Sequence, residues 1–274
     1  MKLSRRAKLL ALLSVPLLLV SCAFAHKQFY YPTRGASQFT PANVGLAYEE
    51  VYFPSADGTR LHGWFIPAVG ETKGVILHVH GNAGKLQDHL AGIIWLPQEH
   101  YAVFTFDYRG YGLSDDTPPT PKGLMEDTQA AIAYLKKRPE PDARKLLVFA
   151  QSLGGNNSVA AVANGARDGI AGIVLDATFY SYKSIAHDKL PGAGIFVSDE
   201  YSASQLIRQL APIPVFFLHG DRDSVIPYQH SQKLFAAALP PKTLRIIPNA
   251  EHLTALDDAR TRTEVLDFFA ESLR

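Results

Sequence analysis

The sequence predicts an α/β fold, built on a mostly parallel sheet that helices cover on both faces. Short, continuously apolar runs alternate with helical patterns along the chain, and such runs are typical of strands buried on both faces. Hydrophobic residues make up 47% of the 274 residues, which is enough for one sizeable core. We therefore expect a single domain over residues 46–274, preceded by a short N-terminal segment.

The domain is expected to open with a β-hairpin, because two β-rich runs at 48–53 and 61–66 flank Asp57-Gly58-Thr59, a pattern typical of a turn. In a parallel sheet the reactive residues lie in loops at the carboxyl ends of the strands, so candidate site residues are expected there. Further strands are expected at 74–79, 102–106, 146–149, 170–175, 215–218 and 243–247, and helices at 87–96, 124–135, 158–163, 232–238 and 262–273.

One stretch, residues 179–212, interrupts this alternation. It follows a strand directly and contains five aromatic residues and two glycines. A long insertion at the carboxyl end of a strand is often a lid over a site. We expect a short lid here, and the alternative is a surface excursion with a small core of its own.

The N-terminal segment is typical of an export signal. Four basic residues stand in the first eight positions, and an apolar run follows at 9–20. That run is too short, and too interrupted by Pro16, to favour a transmembrane helix. We therefore expect residues 1–21 to be a signal peptide, and residues 22–45 to be a tether or a segment that lies on the domain surface.

Cys22, the only cysteine of the chain, ends the run Leu19-Val20-Ser21-Cys22, which resembles the lipobox of bacterial lipoproteins. In that family the signal is cut before the cysteine, which then carries acyl chains that anchor the protein in a membrane. The resemblance implies lipidation of Cys22 and, since no aspartate follows it, an outer-membrane location facing the periplasm. The alternative is a cut after Ala23-Phe24-Ala25, an A-x-A site, which would release a soluble periplasmic protein without Cys22.

Charge and cysteine content exclude several functional classes. The 27 basic and 26 acidic residues give a net charge of +1, so nucleic acid is not expected as a partner. A single cysteine allows no intramolecular disulfide and no Cys/His zinc site. His78, His80 and His219 come near strand ends, but no carboxylate stands at metal-ligand spacing, and Asp221-x-Asp223 lacks the later residues of a calcium loop. We expect no metal and no cofactor.

The strongest single motif surrounds Ser152. A strand pattern leads into this serine, a helix pattern leaves it, and small residues stand two positions away on either side, at Ala150 and Gly154. The motif predicts a sharp, strained turn that exposes the serine oxygen and points a helix N-terminus at it, as a nucleophile requires. Glycine is usual where Ala150 stands, and the alternative is a serine that caps an ordinary helix.

Three other loops carry residues that could complete such a site. In a glycine-containing loop after an earlier strand, the backbone N–H of Asn82 is assigned, with that of Leu153, to an oxyanion hole. After a later strand, Asp223 is expected to orient a histidine, and Asp221 to fix the loop by bonding backbone amides. After the last strand, His252 is expected to act as the base. The order Ser, Asp, His is the one such a sheet requires.

Taken together, these motifs resemble the α/β-hydrolase superfamily, from about Glu50 to the C-terminus. The sequence is similar to a small-lid branch that includes membrane-associated esterases, acyl-protein thioesterases and serine-aminopeptidase-like hydrolases. The loop at 107–114 is then expected to be a fixed loop beside the site. The signatures of that branch stand at 80–84, 107–114, 151–155, 219–223 and 252.

The resemblance implies a serine hydrolase that cleaves ester or thioester bonds of small apolar acyl substrates through an acyl-enzyme. The aromatic residues of the expected lid also favour an apolar substrate. One alternative is a serine peptidase that trims N-termini, for which Asp188, Asp199 and Glu200 could hold the substrate amine. The other is a catalytically silent lipoprotein that uses the scaffold for binding.

Overall fold

The computed structural model describes residues 29–138 and 146–274. The strands in these residues are β1 (Tyr31–Pro32), β2 (Glu49–Pro54), β3 (Arg60–Ile66), β4 (Gly74–Val79), β5 (Ala83–Gly84), β6 (Tyr101–Asp107), β7 (Leu146–Gln151), β8 (Ile170–Asp176), β9 (Val215–Gly220) and β10 (Lys242–Ile247). Eight of them form one sheet in the order β10-β9-β8-β7-β4-β6-β3-β2, and β1 pairs with β5 separately. Only β3 pairs antiparallel, with β2 and β6, so the sheet is mostly parallel.

Helices connect the strands. The α-helices are α1 (Pro121–Lys136), α2 (Leu153–Ala163), α3 (Tyr182–Lys189), α4 (Ala203–Leu206), α5 (Gln229–Ala237) and α6 (Ala259–Ser272). Short 3-10 helices lie at Pro41–Val44, Leu86–Gly92, Leu96–Glu99, Ala193–Phe196, Ile207–Leu210 and Ala255–Asp257. The start of α1 follows from its sequence, because the Thr120 hydroxyl accepts the Gly123 N–H at 3.0 Å and Pro121 occupies the first helical position.

The sheet is buried on both faces, as the continuously apolar strands predict. Successive side chains of a strand point to opposite faces, so Leu77 and Ile76 of β4 belong to different apolar clusters. Ile132 of α1 packs in the cluster of Leu77, and Phe269 of α6 packs in that of Ile76. The predicted α/β fold with helices on both faces is therefore confirmed.

The expected helix at 87–96 differs from the structure, which has two 3-10 helices, Leu86–Gly92 and Leu96–Glu99, in its place. The backbone bonds here span three residues, as in Ile93 N–H to Leu90 O at 3.0 Å. The first residue of the first 3-10 helix is held in place, because the Leu86 N–H donates to Asp107 Oδ1 at 2.8 Å. The spacing of apolar residues at 87–96 fits an α-helix, but it contains no information about this contact with Asp107.

The N-terminal segment is packed on the domain from the first residue that the structure describes. Tyr30 is only 4% exposed, and the Phe29 ring contacts those of Phe179 and Tyr182 at centroid distances of 6.2 and 5.4 Å. The predicted signal peptide at 1–21 and Cys22 lie outside the described residues. Within residues 29–138 and 146–274, no helix combines the length and the apolar character needed to cross a membrane.

Candidate active site

Ser152 stands on a strained turn between β7 and α2. Its φ of 54° and ψ of −116° are unusual for a residue with a side chain. The turn is possible because glycines follow it. A Cβ on Gly154 would collide with the carbonyl oxygen of Val79, and a Cβ on Gly155 would collide with the Thr178 side chain. The sequence predicted this turn from Ala150 and Gly154, but it did not single out Gly155.

The loop at 80–84, which we call the oxyanion loop, lies beside Ser152. A Cβ built on Gly81 would be 3.1 Å from His89 Cε1, which is closer than an ordinary contact, and 3.5 Å from the Ser152 Cβ, so this glycine lies tightly between His89 and the serine. In the described part of the chain, the backbone N–H groups of Asn82 and Leu153 have no acceptor. Both are therefore available to bind an oxygen that carries negative charge.

Two tyrosines from the 107–114 loop hold the oxyanion loop in place. Tyr108 donates its hydroxyl to the carbonyl of His80 at 2.8 Å, and Tyr111 donates to the carbonyl of Asn82 at 2.8 Å. Burial raises the pKa of both phenols, so both remain protonated donors. The prediction that 107–114 is a fixed loop beside the site is confirmed by these bonds, although the sequence did not identify the tyrosines that make them.

Asp223 and His252, on the loops after β9 and β10, form a hydrogen-bonded pair, with His252 Nδ1 at 2.7 Å from Asp223 Oδ2. Asp223 Oδ1 accepts the N–H groups of Val225 and Ile226, each at 2.8 Å, and His219 Nε2 lies 3.1 Å from Oδ2. Burial alone would raise the Asp223 pKa, but the hydrogen bonds outweigh it and hold that pKa well below its usual value. The ionised carboxylate places the proton of His252 on Nδ1 and leaves Nε2 with its lone pair.

Asp221 has the loop-fixing contact that the sequence predicted. Its Oδ1 accepts the backbone N–H of Asn249 at 2.7 Å, which joins the Asp223 loop to the loop that carries His252. The histidine loop is strained, with φ of 63° at Asn249 and 61° at Leu253. The backbone contact that was expected of Asp221 is therefore confirmed.

Ser152, His252, Asn82 and Leu153 all line one cavity of about 510 Å³. Its volume lies within the roughly 300–1,000 Å³ of small-molecule sites. In the described residues no hydrogen bond joins the Ser152 hydroxyl to His252, and unliganded catalytic sites often show this contact lengthened. Apolar side chains form most of the remaining wall, among them Phe29, Phe179, Ile185, Val225, Ile226 and Leu253.

Charge in the cavity is sparse and positive. Lys189 of α3 is the only charged side chain among the lining residues that the structure describes, and its Nζ donates to the carbonyl of Val225 at 2.7 Å. The three acidic residues considered for binding an amine do not line the cavity. Asp188 pairs with His230 at 2.6 Å, Asp199 accepts a backbone N–H of α3 at 2.9 Å, and Glu200 is exposed.

A buried polar chain lies beneath the serine. Gln151 Nε2 donates to Asp176 Oδ2 at 3.0 Å, and Gln151 Oε1 lies 3.0 Å from His78 Nε2. Within the described residues, Asp176 Oδ1 has no hydrogen-bond partner. Burial raises the pKa of Asp176 to about 6, although the bond from Gln151 partly opposes the rise. The backbone carbonyl of Asp176 also accepts the Ser152 N–H at 2.8 Å, so this residue borders the strained turn at Ser152.

Sequence reasoning missed three residues near the serine, namely His89, Asp176 and Lys189. Asp176 ends a strand at the carboxyl edge of the sheet, which is the same signal that selected Ser152 and Asp223, so it could have been found. His89 and Lys189 lie on helices without a motif. Among the described residues, no group of three His, Cys, Asp or Glu side chains could hold a metal ion.

Comparisons with known proteins identify the family and the fold. A family described as serine aminopeptidase, S33, matches residues 70–195. The uncharacterized protein YfhR of Escherichia coli (strain K12) is 40% identical over 252 residues, which cover 89% of this chain and 87% of that protein. The α/β hydrolase domain-containing protein WAV2 of Arabidopsis thaliana is 33% identical over 84% of this chain and 82% of its own length. The structure of the Pyrococcus furiosus esterase Pf2001 superposes with a TM-score of 0.73 at 19% identity, covering 89% of this chain and 97% of that chain.

Proposed function

Because this chain belongs to the α/β-hydrolase family, we propose that it is a serine hydrolase that cleaves carboxylic ester or thioester bonds of small apolar acyl substrates. The observation that carries the proposal is the strained turn that presents Ser152 to the cavity that His252 also lines. Strain at a residue with a side chain persists only where the surrounding structure enforces it, and it is concentrated at functional sites.

In the proposed acylation step, Ser152 Oγ attacks the carbonyl carbon of the substrate and His252 Nε2 takes the hydroxyl proton. The carbonyl oxygen becomes an oxyanion, which accepts the N–H groups of Asn82 and Leu153. Asp223 stabilises the imidazolium. When the tetrahedral intermediate collapses, the carbonyl–leaving-group bond breaks, and His252 returns its proton to the departing alcohol or thiol.

Deacylation repeats these roles with water. His252 Nε2 removes a proton from a water molecule whose oxygen attacks the acyl carbon, and the oxyanion again binds to the two backbone N–H groups. The ester bond to Ser152 Oγ then breaks and the serine recovers its proton from His252. The products of this step are a carboxylic acid and the free enzyme, and water is the only co-reactant that the reaction consumes.

The cavity wall supports an apolar acyl group over a peptide with a free amine. An aminopeptidase needs a fixed anionic group for the substrate ammonium, because burying an unpaired charge is costly. The only charged lining side chain among the described residues is the cation Lys189, and Asp188 is engaged by His230. The apolar side chains of Phe179 and Ile185 instead favour an acyl chain.

The test is a chain-length series of p-nitrophenyl esters assayed beside acyl thioesters and aminoacyl nitroanilides, with a fluorophosphonate probe. We expect turnover of short and medium esters and covalent labelling of wild type, with Ser152→Ala losing both, the turnover by about 10⁴-fold or more. Ser158→Ala is the matched control. Ser158 is a buried serine on α2 whose hydroxyl has no partner among the described residues, so its loss should change little.

Each other outcome selects another function. Labelling that survives in Ser152→Ala would contradict the nucleophile assignment. A clear preference for an aminoacyl nitroanilide over every ester would establish the peptidase. Absence of both turnover and labelling in wild type would leave a silent binding scaffold.

We also propose that the chain is exported and anchored through Cys22, on the strength of the run at 19–22. Radiolabelled fatty acid should enter the wild-type protein in a bacterial host and should not enter Cys22→Ser. A mature N-terminus at His26 would show the A-x-A cut and a soluble product instead.

A further inference from the structure

The charge of Lys189 is held at the cavity by a contact with another part of the wall. This lysine is the last residue of α3, where a basic side chain commonly offsets the negative end of a helix. Its ammonium also donates at 2.7 Å to the carbonyl of Val225, 36 residues away in the chain. Both residues line the cavity, so the contact keeps the positive charge beside the space that a substrate would occupy.

The Lys189 ammonium has donors left for a ligand. An ammonium carries three N–H groups, and in the described part of the chain the Val225 carbonyl accepts one of them. The neighbouring carboxylate, Asp188, is bonded by His230 Nε2 at 2.6 Å. Among the described residues that line the cavity there is no Asp or Glu. An anionic group on a substrate would therefore meet a cation that no carboxylate of the wall neutralises.

Two further hydrogen bonds place Lys189 relative to the proposed reaction. Val225, whose carbonyl accepts from Lys189, donates its N–H to Asp223 Oδ1 at 2.8 Å. Asp223 Oδ2 in turn lies 2.7 Å from His252 Nδ1. Lys189 thus belongs to the side of the cavity that carries His252. In the proposed reaction the leaving group takes its proton from His252, so a substituent on the leaving group extends toward that side.

The oxyanion loop borders a different part of the wall, which is apolar. The side-chain amide of Asn82 donates to the carbonyl of Phe29 at 2.6 Å, and the Phe29 ring contacts that of Phe179 at a centroid distance of 6.2 Å. Both rings line the cavity. This part of the wall suits an apolar acyl chain, which leaves the cation for the other part of the substrate.

We infer that Lys189 is a specificity-determining residue that binds an anionic group, a carboxylate or a phosphate, on the leaving group of the substrate. This inference rests on the proposed function, and it narrows the substrate class to esters or thioesters that join an apolar acid to an anionic alcohol or thiol. Because one hydrogen bond already holds the ammonium, the side chain loses less conformational freedom when it binds the anion. The competing position for the anion is the far end of the acyl chain.

The test compares two matched pairs of esters in wild type and in Lys189→Met, which keeps a long side chain and removes its charge. The first pair is p-nitrophenyl butyrate and its analogue with a carboxylate on the nitrophenyl ring, and the second is butyryl glycerol and butyryl glycerol phosphate. We expect the substitution to lower the ratio of kcat/KM for the anionic ester to that for the neutral ester by about fivefold, mainly through KM. Because the ratio is compared between two proteins, the intrinsic reactivity of the leaving groups cancels. The pair that shows the larger change identifies the anion.

Lys183→Met is the matched control, because Lys183 is also exposed on α3 but is not among the residues that line the cavity. It should leave both ratios unchanged, and added salt should weaken the wild-type preference for the anionic esters. An equal loss on neutral and anionic esters in Lys189→Met would overturn the inference, since it would reduce Lys189 to a support for Val225. A larger effect on the p-nitrophenyl monoester of a dicarboxylic acid would also overturn it, because the anion would then lie on the acyl chain.

Binding of the corresponding ethers separates this inference from the proposed function. Butyl p-nitrophenyl ether and its ring carboxylate have no acyl carbon to attack, so calorimetry measures their Kd without turnover. If wild type hydrolyses no ester, the proposed function fails, and tighter binding of the anionic ether that is lost in Lys189→Met still supports the anion site. Equal Kd values for the two ethers in wild type would overturn the site, whatever the activity assays give.

Discussion

Replacing Asp176 by Asn tests the electrostatics beneath the strained turn at Ser152. Asp176 is 1% exposed, its Oδ1 has no partner in the described residues, and burial raises its pKa to about 6. An unfolded Asp has a pKa near 3.9, so between these values the folded protein binds the proton that the unfolded chain releases. Stability therefore falls as pH rises from about 4 to about 6 and stays lower above that range.

The size of the effect follows from the shift. About two pKa units correspond to about 3 kcal/mol of lost stability at pH 8, and to less than about 1 kcal/mol at pH 4. Asn keeps the oxygen that accepts the Gln151 amide, but it places an unpaired N–H where Oδ1 stood, which costs about 1 kcal/mol. We expect Asp176→Asn to be more stable than wild type by about 2 kcal/mol at pH 8 and less stable by under about 1 kcal/mol at pH 4.

Urea unfolding of both proteins at pH 4, 6 and 8, followed by circular dichroism, measures how the order of their stabilities reverses with pH. Asp57→Asn is the control with the opposite sign. Hydrogen bonds from Thr59 lower the Asp57 pKa, so the stability that this residue contributes is lost only as pH falls below about 4, and Asp57→Asn should be less stable than wild type by a similar amount at pH 6 and pH 8. If the stability difference for Asp176→Asn does not change with pH, or favours wild type at pH 8, the assignment of Asp176 as a buried, destabilising carboxylate is wrong.

Three further substitutions test the candidate site. Asp223→Asn should lower kcat by about 10⁴-fold, and Asp221→Asn should lower it by far less, because the Asp221 side chain bonds only a backbone amide. If steady-state kinetics gives the reverse ranking, Asp223 is not the residue that orients His252. Tyr111→Phe removes the hydroxyl that fixes the Asn82 carbonyl, so kcat should fall about tenfold with little change in KM, whereas a change confined to KM would place its role in binding. Gly154→Ala should lower the free energy of unfolding by about 3 kcal/mol, since the new methyl collides with backbone; an unchanged urea midpoint would refute that contact.

The sheet could be predicted from sequence because each strand carries its own signal. The apolar run at 74–79 became β4 with the same bounds, and the Asp57-Gly58-Thr59 turn became the β2–β3 hairpin. Burial on both faces requires continuous apolar residues, so local composition is enough to locate these strands. The positions of Ser152 and His252 follow from the same logic, because Ser152 comes directly after β7 and His252 lies in the loop after β10, at the edge where the carboxyl ends of the strands meet.

Contacts that join distant parts of the chain could not be predicted. Tyr111 fixes the Asn82 carbonyl from 29 residues away, and Tyr108 fixes that of His80 from 28. Each contact depends on the order in which β4 and β6 lie side by side, which no local pattern reports. The packing of Phe29 on the lid likewise depends on where the N-terminal segment crosses the domain, so the expectation of a tether could not distinguish a loose connection from a packed one.

The hydrogen bond from Lys189 to Val225 connects helix α3 to the loop of Asp223, the acid of the proposed reaction. Val225 offers its carbonyl to the Lys189 ammonium at 2.7 Å and its N–H to Asp223 Oδ1 at 2.8 Å. A displacement of α3 must therefore either break the lysine bond or pull on the segment that aims the carboxylate at His252. Val225 is the one residue that joins the two contacts. In the proposed reaction, a substrate that packs against α3 in the cavity would therefore also stabilise the hydrogen bond between Asp223 and His252.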